Sequence, residues 1–149
     1  MTDFIFTENV DAEKLQVVSA ALGTGSGNKF TNNDMGKPVK LSTANNYVLC
    51  ATTNEIEGFV HSVSPETVNG GYTFGGVQTN GRKIAKVGPN QTGTLTIGEL
   101  AVADTPSAVG TADAYPLVRE GTPANFKWRV IRLVSGTGVA GDLVLLEKI

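Results

Sequence analysis

Cysteine and histidine are almost absent from this chain of 149 residues, which contains one of each, Cys50 and His61. One thiol cannot form an internal disulfide, and a structural zinc site requires about four Cys or His ligands. We therefore expect no disulfide and no metal site. A chain of this length can bury roughly two-thirds of its unfolded surface, so burial of apolar side chains is sufficient to stabilise the fold.

Charged residues are also scarce, at 17% of the chain, and 12 basic against 14 acidic residues give a net charge of -2. Because the basic residues form no long run, the sequence does not predict nucleic-acid binding. The first residues, MTDFIF, lack the basic segment of a secretory signal. The longest apolar runs, at residues 100–103 and 143–146, are far shorter than the roughly 20 residues of a membrane-spanning helix. We expect no membrane partner.

From Met35 onward, the chain consists of short runs rich in valine, threonine and aromatic residues. Clusters of Gly, Asn and Pro separate these runs at intervals of about ten residues. This pattern predicts an all-β fold over residues 34–149, either a small antiparallel β-barrel, including the β-tulip type, or a sandwich. No repeat of fixed period is present, and we predict no second domain. The predicted strands are 39–41, 47–53, 56–63, 72–79, 83–87, 93–97, 100–103, 117–119, 126–134 and 143–149.

Residues 1–33 differ from the rest and are predicted to form an extended N-terminal arm. Asp11 could cap a short helix over residues 12–22, which Gly23 would end, and an extended segment over residues 15–22 is the alternative. The small residues at positions 23–28 then form a flexible linker. The arm carries apolar side chains that need a partner to cover them, namely Phe4, Ile5, Phe6, Leu15 and Val18.

Three sequence features resemble catalytic or nucleotide-binding motifs. Residues 136–141 match GxGxxG, but only eight residues follow them, too few for a dinucleotide-binding unit, so we predict a hairpin loop. Residues 23–29 lack the Lys-Ser/Thr pair of a phosphate-binding loop. Cys50 and His61 could form a nucleophile and base, but Cys50 lies in an apolar strand where a buried thiol is inert. We therefore predict no catalytic residue, no cofactor and no enzymatic activity.

Basic side chains near the C-terminal end of the chain suggest a contact surface. Lys127 and Arg129 would share one face of a strand, and Trp128 would point into the core. No aromatic residues alternate with these charges in the manner of single-strand nucleic-acid binders. A protein partner of opposite charge is the simpler interpretation.

The predicted sheet region resembles the decoration, or cement, proteins on the heads of tailed bacteriophages. The resemblance covers most of residues 33–149. It rests on the segments GKPVKL (36–41), NYVLCA (46–51), EGFV (57–60), FKWRVI (126–131) and GVAGDLVLLE (138–147). The resemblance implies a β-barrel or β-tulip domain on the outer surface of the virion capsid, reached after synthesis in the host cytoplasm.

The resemblance also implies the partners of the protein. Members of such families stabilise capsids by bridging neighbouring subunits of the major capsid protein, often as homotrimers, and their terminal arms add strands to the capsid lattice. We therefore expect the major capsid protein as partner, a homotrimer with a dimer as the alternative, and contacts through the arm and through Lys127 and Arg129. A virion-displayed module that binds a host carbohydrate or receptor is the alternative function.

Overall fold

The computed structural model describes residues 17–23, 29–67 and 73–149, with the backbone alone at residues 65–67. Its strands are β1 (Val17–Leu22), β2 (Pro38–Leu41), β3 (Tyr47–Leu49), β4 (Gly58–Thr67), β5 (Thr73–Gln78), β6 (Arg82–Val87), β7 (Leu100–Ala103), β8 (Leu117–Glu120), β9 (Trp128–Leu133) and β10 (Leu143–Lys148). A single 3-10 turn, Asn32–Asp34, precedes β2. The all-β prediction is confirmed. None of the described residues belongs to a helix that could cross a membrane.

The strands close into two small barrels that follow one another along the chain. The first barrel has the circular order β1-β3-β2-β4-β5, and the second has the order β6-β8-β7-β9-β10. The predicted barrel is thus present, and it is present twice. Closure leaves neither sheet with an open edge.

The two barrels have the same topology. In the first, β1 pairs parallel with β3 and every other contact is antiparallel; in the second, β6 pairs parallel with β8 and every other contact is antiparallel. One irregularity also corresponds, because the ladder skips one residue after Val60 in β4 and one after Val130 in β9. The chain is therefore an internal structural duplication.

Hydrogen bonds outside the strands repeat as well. Gly36 N donates to Val60 O at 2.7 Å, and Gly98 N donates to Val130 O at the same distance. Both glycines have positive φ, a conformation that favours glycine over other residues. Positions that correspond in the two barrels rarely carry the same residue, which explains why the sequence shows no repeat. Identical residues at matched positions include Ala20 and Ala85, Gly23 and Gly88, Gly36 and Gly98, and Val60 and Val130.

Strand β4 joins the apolar cores of the two barrels. Val60 packs in the first core, whereas Phe59, on the opposite face of the strand, packs in the second. The Phe59 ring meets the Trp128 ring edge-on, with centroids 4.9 Å apart, and Trp128 Nε1 donates to Ile56 O at 3.0 Å. Since Phe59 and Ile56 come from the first half of the chain, the second core is complete only when both halves are folded.

The structure differs from the sequence-based expectation in two segments. The helix predicted over residues 12–22 is wrong over Val17–Leu22, which is strand β1, and residues 12–16 lie outside the described residues. β-branched residues favour strands, and β1 is paired on both sides, with β5 and β3. The strand predicted at 93–97 is instead a loop, because Glu99 accepts hydrogen bonds from Thr96 N and Thr96 Oγ1 and holds a turn there.

Candidate functional site: the cleft between the barrels

A cleft of about 280 Å³ lies between the two barrels. The first barrel contributes Val60 and His61 from β4, together with Met35 and Gly36. The second barrel contributes Lys83 and Ile84 from β6 and residues 113–116 of the long loop between β7 and β8. Concave sites between folded units are common binding sites in proteins.

Lys83 is the unusual residue of this cleft. Ala85 and Val87 of β6 lie in the second core, and by strand alternation Lys83 lies on the same face. The matching position in the first barrel is Val18, which packs against the first core. The Lys83 ammonium forms no hydrogen bond or ion pair with any residue in the described ranges. Burial lowers the pKa of its ammonium group.

The long loop that forms one wall of the cleft is fixed by a buried ion pair. Asp34 and Lys37 are both 0% exposed, and Lys37 Nζ lies 2.8 Å from Asp34 Oδ1. Lys37 Nζ also donates to Ser107 O at 3.1 Å and to Ala108 O at 3.0 Å. Gly110 N donates to Asp34 Oδ1 at 2.9 Å. A pair from the first half of the chain therefore holds a loop of the second half.

Further hydrogen bonds fix both ends of the loop segment, residues 113–116, that lines the cleft. Asp113 uses its two carboxylate oxygens to accept from Ser107, Oδ2 from the backbone N–H at 2.9 Å and Oδ1 from the hydroxyl at 2.5 Å. Pro116 O accepts from Lys86 N at 2.8 Å, which ties the end of the loop to β6. Tyr115 remains partly exposed between these two anchors.

Three of the predicted contact residues, Val18, Lys127 and Arg129, belong to the described part of the chain, and none of these three lines the cleft. Phe4, Ile5, Phe6 and Leu15 lie outside the described residues, and Val18 is half-buried against the first core. Lys127 is half-buried just before β9. Arg129 is exposed on β9, and its Nη2 lies 3.9 Å from Glu147 Oε1. Their role as contact residues stays a prediction.

Cys50 and His61 occupy different environments. Cys50 is buried in the second core, where its thiol donates to Glu55 O at 3.4 Å. Burial raises the pKa of this thiol to about 12, so it is protonated at neutral pH and is not a nucleophile. His61 is exposed and lines the cleft. Cys50 is thus a packing residue, as its apolar strand indicates.

The glycine-rich segment at 136–141 is the hairpin loop between β9 and β10, as predicted. Asp142 Oδ2 accepts hydrogen bonds from the backbone N–H groups of Thr137, Gly138 and Val139, at 2.8, 3.0 and 3.2 Å. The loop therefore holds a carboxylate of its own chain. The other glycine-rich segment is described only at Gly23 and Lys29.

Glu55 and Glu57 each accept a hydrogen bond from the backbone of another segment of the chain. Glu55 Oε1 accepts hydrogen bonds from Asn125 N at 2.5 Å and from Phe126 N at 3.4 Å. These backbone hydrogen bonds lower the pKa of Glu55. Glu57 Oε2 accepts from Leu41 N at 2.9 Å. Each carboxylate thus holds a different segment of the chain.

Asp34, Lys37 and Lys83 were not predicted as site residues from the sequence. A signal existed for Lys83, because Lys83, Ala85 and Val87 alternate with period two and two of the three are apolar. No comparable signal existed for Asp34 and Lys37, whose partners in the long loop are 70 to 76 residues away. Such long-range contacts follow only from the barrel topology.

Within residues 17–23, 29–67 and 73–149, no group of three or more His, Cys, Asp or Glu side chains could hold a metal ion. No protein-family model, curated protein or solved structure matches the chain.

Proposed function

We propose that this protein is a structural component of a phage virion that binds the outside of the capsid and stabilises it by bridging neighbouring major capsid protein subunits. The proposal begins with the resemblance of the strand segments to decoration proteins. It includes self-association, a non-enzymatic role, and a location on the outer surface of the particle.

The observation that carries the proposal is the duplicated barrel. A capsid presents the same subunit surface many times, and a chain with two copies of one backbone fold offers two related surfaces to it. When the first barrel is bound, the second is held near the next subunit at high effective concentration. Two moderate contacts then give tight attachment, which is the physical requirement for a bridging protein.

The charge distribution supports a polar rather than an apolar contact. Arg129 is exposed on the outer face of β9, next to Lys127. Exposed charges at the rim of an interface mainly accelerate association and select the partner. We assign this basic pair to the capsid contact, facing acidic side chains of the major capsid protein.

The test uses capsids of the encoding phage that were assembled without this protein. Purified full-length chain is added, and both co-sedimentation and the temperature of capsid disruption are measured. We expect saturable binding and a higher disruption temperature. Arg129→Glu should weaken binding, with Lys86→Glu, another exposed strand cation, as the matched control.

Failure of the wild-type protein to bind such capsids contradicts the proposal. Binding to immobilised host glycans or surface proteins, without any effect on capsids, supports the alternative receptor-binding function. Equal losses in Arg129→Glu and Lys86→Glu contradict the assignment of the contact to the basic pair, because the two changes alter the net charge equally.

A further inference from the structure

We propose that the cleft between the barrels binds a carboxylate group, with the Lys83 ammonium as the cation that receives it. The proposal concerns the isolated protein and does not rest on a role in capsids. It follows from three observations: the position of Lys83, the hydrogen bonds of Asp113, and the size of the cavity. Asp113 is the only acidic residue that lines the cleft among the described residues.

Lys83 brings a positive charge to a half-buried position on the inward face of β6. Among the described residues, none accepts a hydrogen bond from its ammonium group. A buried or half-buried charge is costly unless it is paired. A carboxylate in the cleft would supply that pair, and charge-assisted hydrogen bonds are about twice as strong as neutral ones.

Asp113 is the acidic residue in the cleft wall, and it does not neutralise Lys83. Both of its carboxylate oxygens accept from Ser107, and it forms no ion pair with Lys83. Asp113 therefore serves to shape the loop. The remaining polar groups, the His61 imidazole and the Tyr115 hydroxyl, can both donate hydrogen bonds to a bound anion.

The dimensions favour a small ligand group. About 280 Å³ is just below the range of roughly 300–1,000 Å³ typical of sites for drug-sized molecules. The cleft can therefore accept a single acidic side chain or a small free carboxylate. Met35, Ile84 and Pro116 provide apolar contacts for the carbon atoms that carry the carboxylate.

The cleft is also preorganised. Gly36 N donates to Val60 O at 2.7 Å on one side, and Lys86 N donates to Pro116 O at 2.8 Å on the other. The Asp34–Lys37 pair fixes the loop behind this second side. A site with fixed walls loses little conformational entropy on binding, so a small ligand can be retained.

The experiment is an NMR titration of the full-length, isotopically labelled protein at constant ionic strength. Acetate and a blocked peptide containing one Glu are titrated separately, with acetamide and the matching Gln peptide as uncharged controls. The amide signals of Gly36, Val60 and Ile84 report on the cleft. Lys83→Met removes the charge, and Lys86→Met, on the same strand but exposed, is the matched control.

We expect the two carboxylates to shift the cleft signals and their amide analogues to leave them unchanged. Lys83→Met should weaken binding by about tenfold or more, the effect of losing a hydrogen bond to a charged group, and Lys86→Met should not. Tighter binding of the Glu peptide identifies an acidic side chain as the ligand, and equal or tighter binding of acetate identifies a free carboxylate.

Two results would overturn the inference. Equal shifts with acetate and acetamide would show that the charge is not recognised. Unchanged binding to a folded Lys83→Met protein would show that another group receives the anion. The comparison of ligands needs only the wild-type protein, so a folding defect in a variant does not prevent a decision.

Discussion

At the scale of single residues, the buried Asp34–Lys37 pair is held by hydrogen bonds on both sides. The Lys37 ammonium donates to one carboxylate and two carbonyl oxygens, which uses all three of its hydrogens. Asp34 accepts from Lys37, from Thr31 N and from Gly110 N. Because every donor of the buried cation has an acceptor, the loss of one member leaves the other as an unpaired buried charge or polar group.

We predict that Asp34→Asn lowers the free energy of unfolding by about 3–5 kcal/mol, since it leaves the Lys37 charge buried and unpaired. Adding Lys37→Met should recover part of this loss. The partly exposed pair of Arg82 and Glu147, with N and O atoms 3.1 Å apart, is the control. There, Glu147→Gln should cost no more than about 1 kcal/mol. Urea denaturation at neutral pH measures both, and equal losses would contradict the prediction.

Lys83 makes stability depend on pH in the alkaline range. Burial lowers its pKa in the folded state below the ordinary value of 10.5, so the unfolded state binds more protons between the two values. The penalty for charging Lys83 is therefore complete below the lowered pKa and disappears as the pH rises through 10.5. We predict that Lys83→Met is more stable than the wild type at neutral pH.

This advantage should shrink as the pH rises toward the ordinary lysine pKa, because the wild-type side chain then loses its charge. Urea denaturation at several pH values measures the difference. The control, Lys86→Met, changes an exposed residue of the same strand and should show no such trend. An advantage of Lys83→Met that stays constant with pH would mean that apolar packing alone causes it.

At the scale of elements, two of the three positive-φ glycines in the loop between β9 and β10, Gly138 and Gly141, differ in the space around them. Gly138 has φ of 94°, and a Cβ atom there would overlap Leu95 O. Gly141 has φ of 98°, but a Cβ atom there would meet nothing within 4 Å. Both glycines adopt a positive φ, but only at Gly138 does a second loop, at Leu95, also leave no room for a side chain.

We predict that Gly141→Ala costs roughly 1–2 kcal/mol, the penalty of placing a side chain at positive φ. Gly138→Ala should cost at least about 1 kcal/mol more, because the loop must also move away from Leu95 and loses the hydrogen bond from Leu95 N to Gly138 O. Chemical denaturation of the two variants compares them. Equal costs would show that the loop relaxes without loss.

Strands that have a distinctive local sequence could be predicted, whereas strand β1 could not. Each predicted strand outside 93–97 has a counterpart in the structure, because β-branched runs and turn residues mark strands locally. The sequence of β1 is equally compatible with a helix, since its central residues are Ser and Ala. Its pairing with β5, more than 50 residues later, determines its conformation.

At the scale of the whole molecule, the two barrels share interactions that should make them unfold together. Phe59 of the first half packs on Trp128, and Asp34 and Lys37 hold the loop of the second half. We predict one calorimetric transition, with the van't Hoff enthalpy equal to the calorimetric enthalpy. Phe59→Ala should lower the midpoint without splitting the transition. Two separate transitions in the wild type would show that the barrels are independent.

The duplication and the cleft could not be derived from the sequence. Matched positions carry different residues because each barrel interior is filled in its own way, for example by Val18 in one and Lys83 at the mouth of the other. Backbone geometry is common to both barrels, and side chains are not. The cleft depends on contacts between the halves, which no local pattern encodes.

The start of the first described strand, β1, and the end of the last strand, β10, both lie beside the connection between the barrels. Val17 pairs with Gln78, Arg82 pairs with Glu147, and Lys148 N donates to Gly81 O at 3.0 Å. Each barrel thus begins and ends at the same corner. The order of the two barrels along the chain is therefore interchangeable: a short bridge from the end of β10 to the start of β1, with a cut between β5 and β6, gives a circular permutant with the same strand pairing.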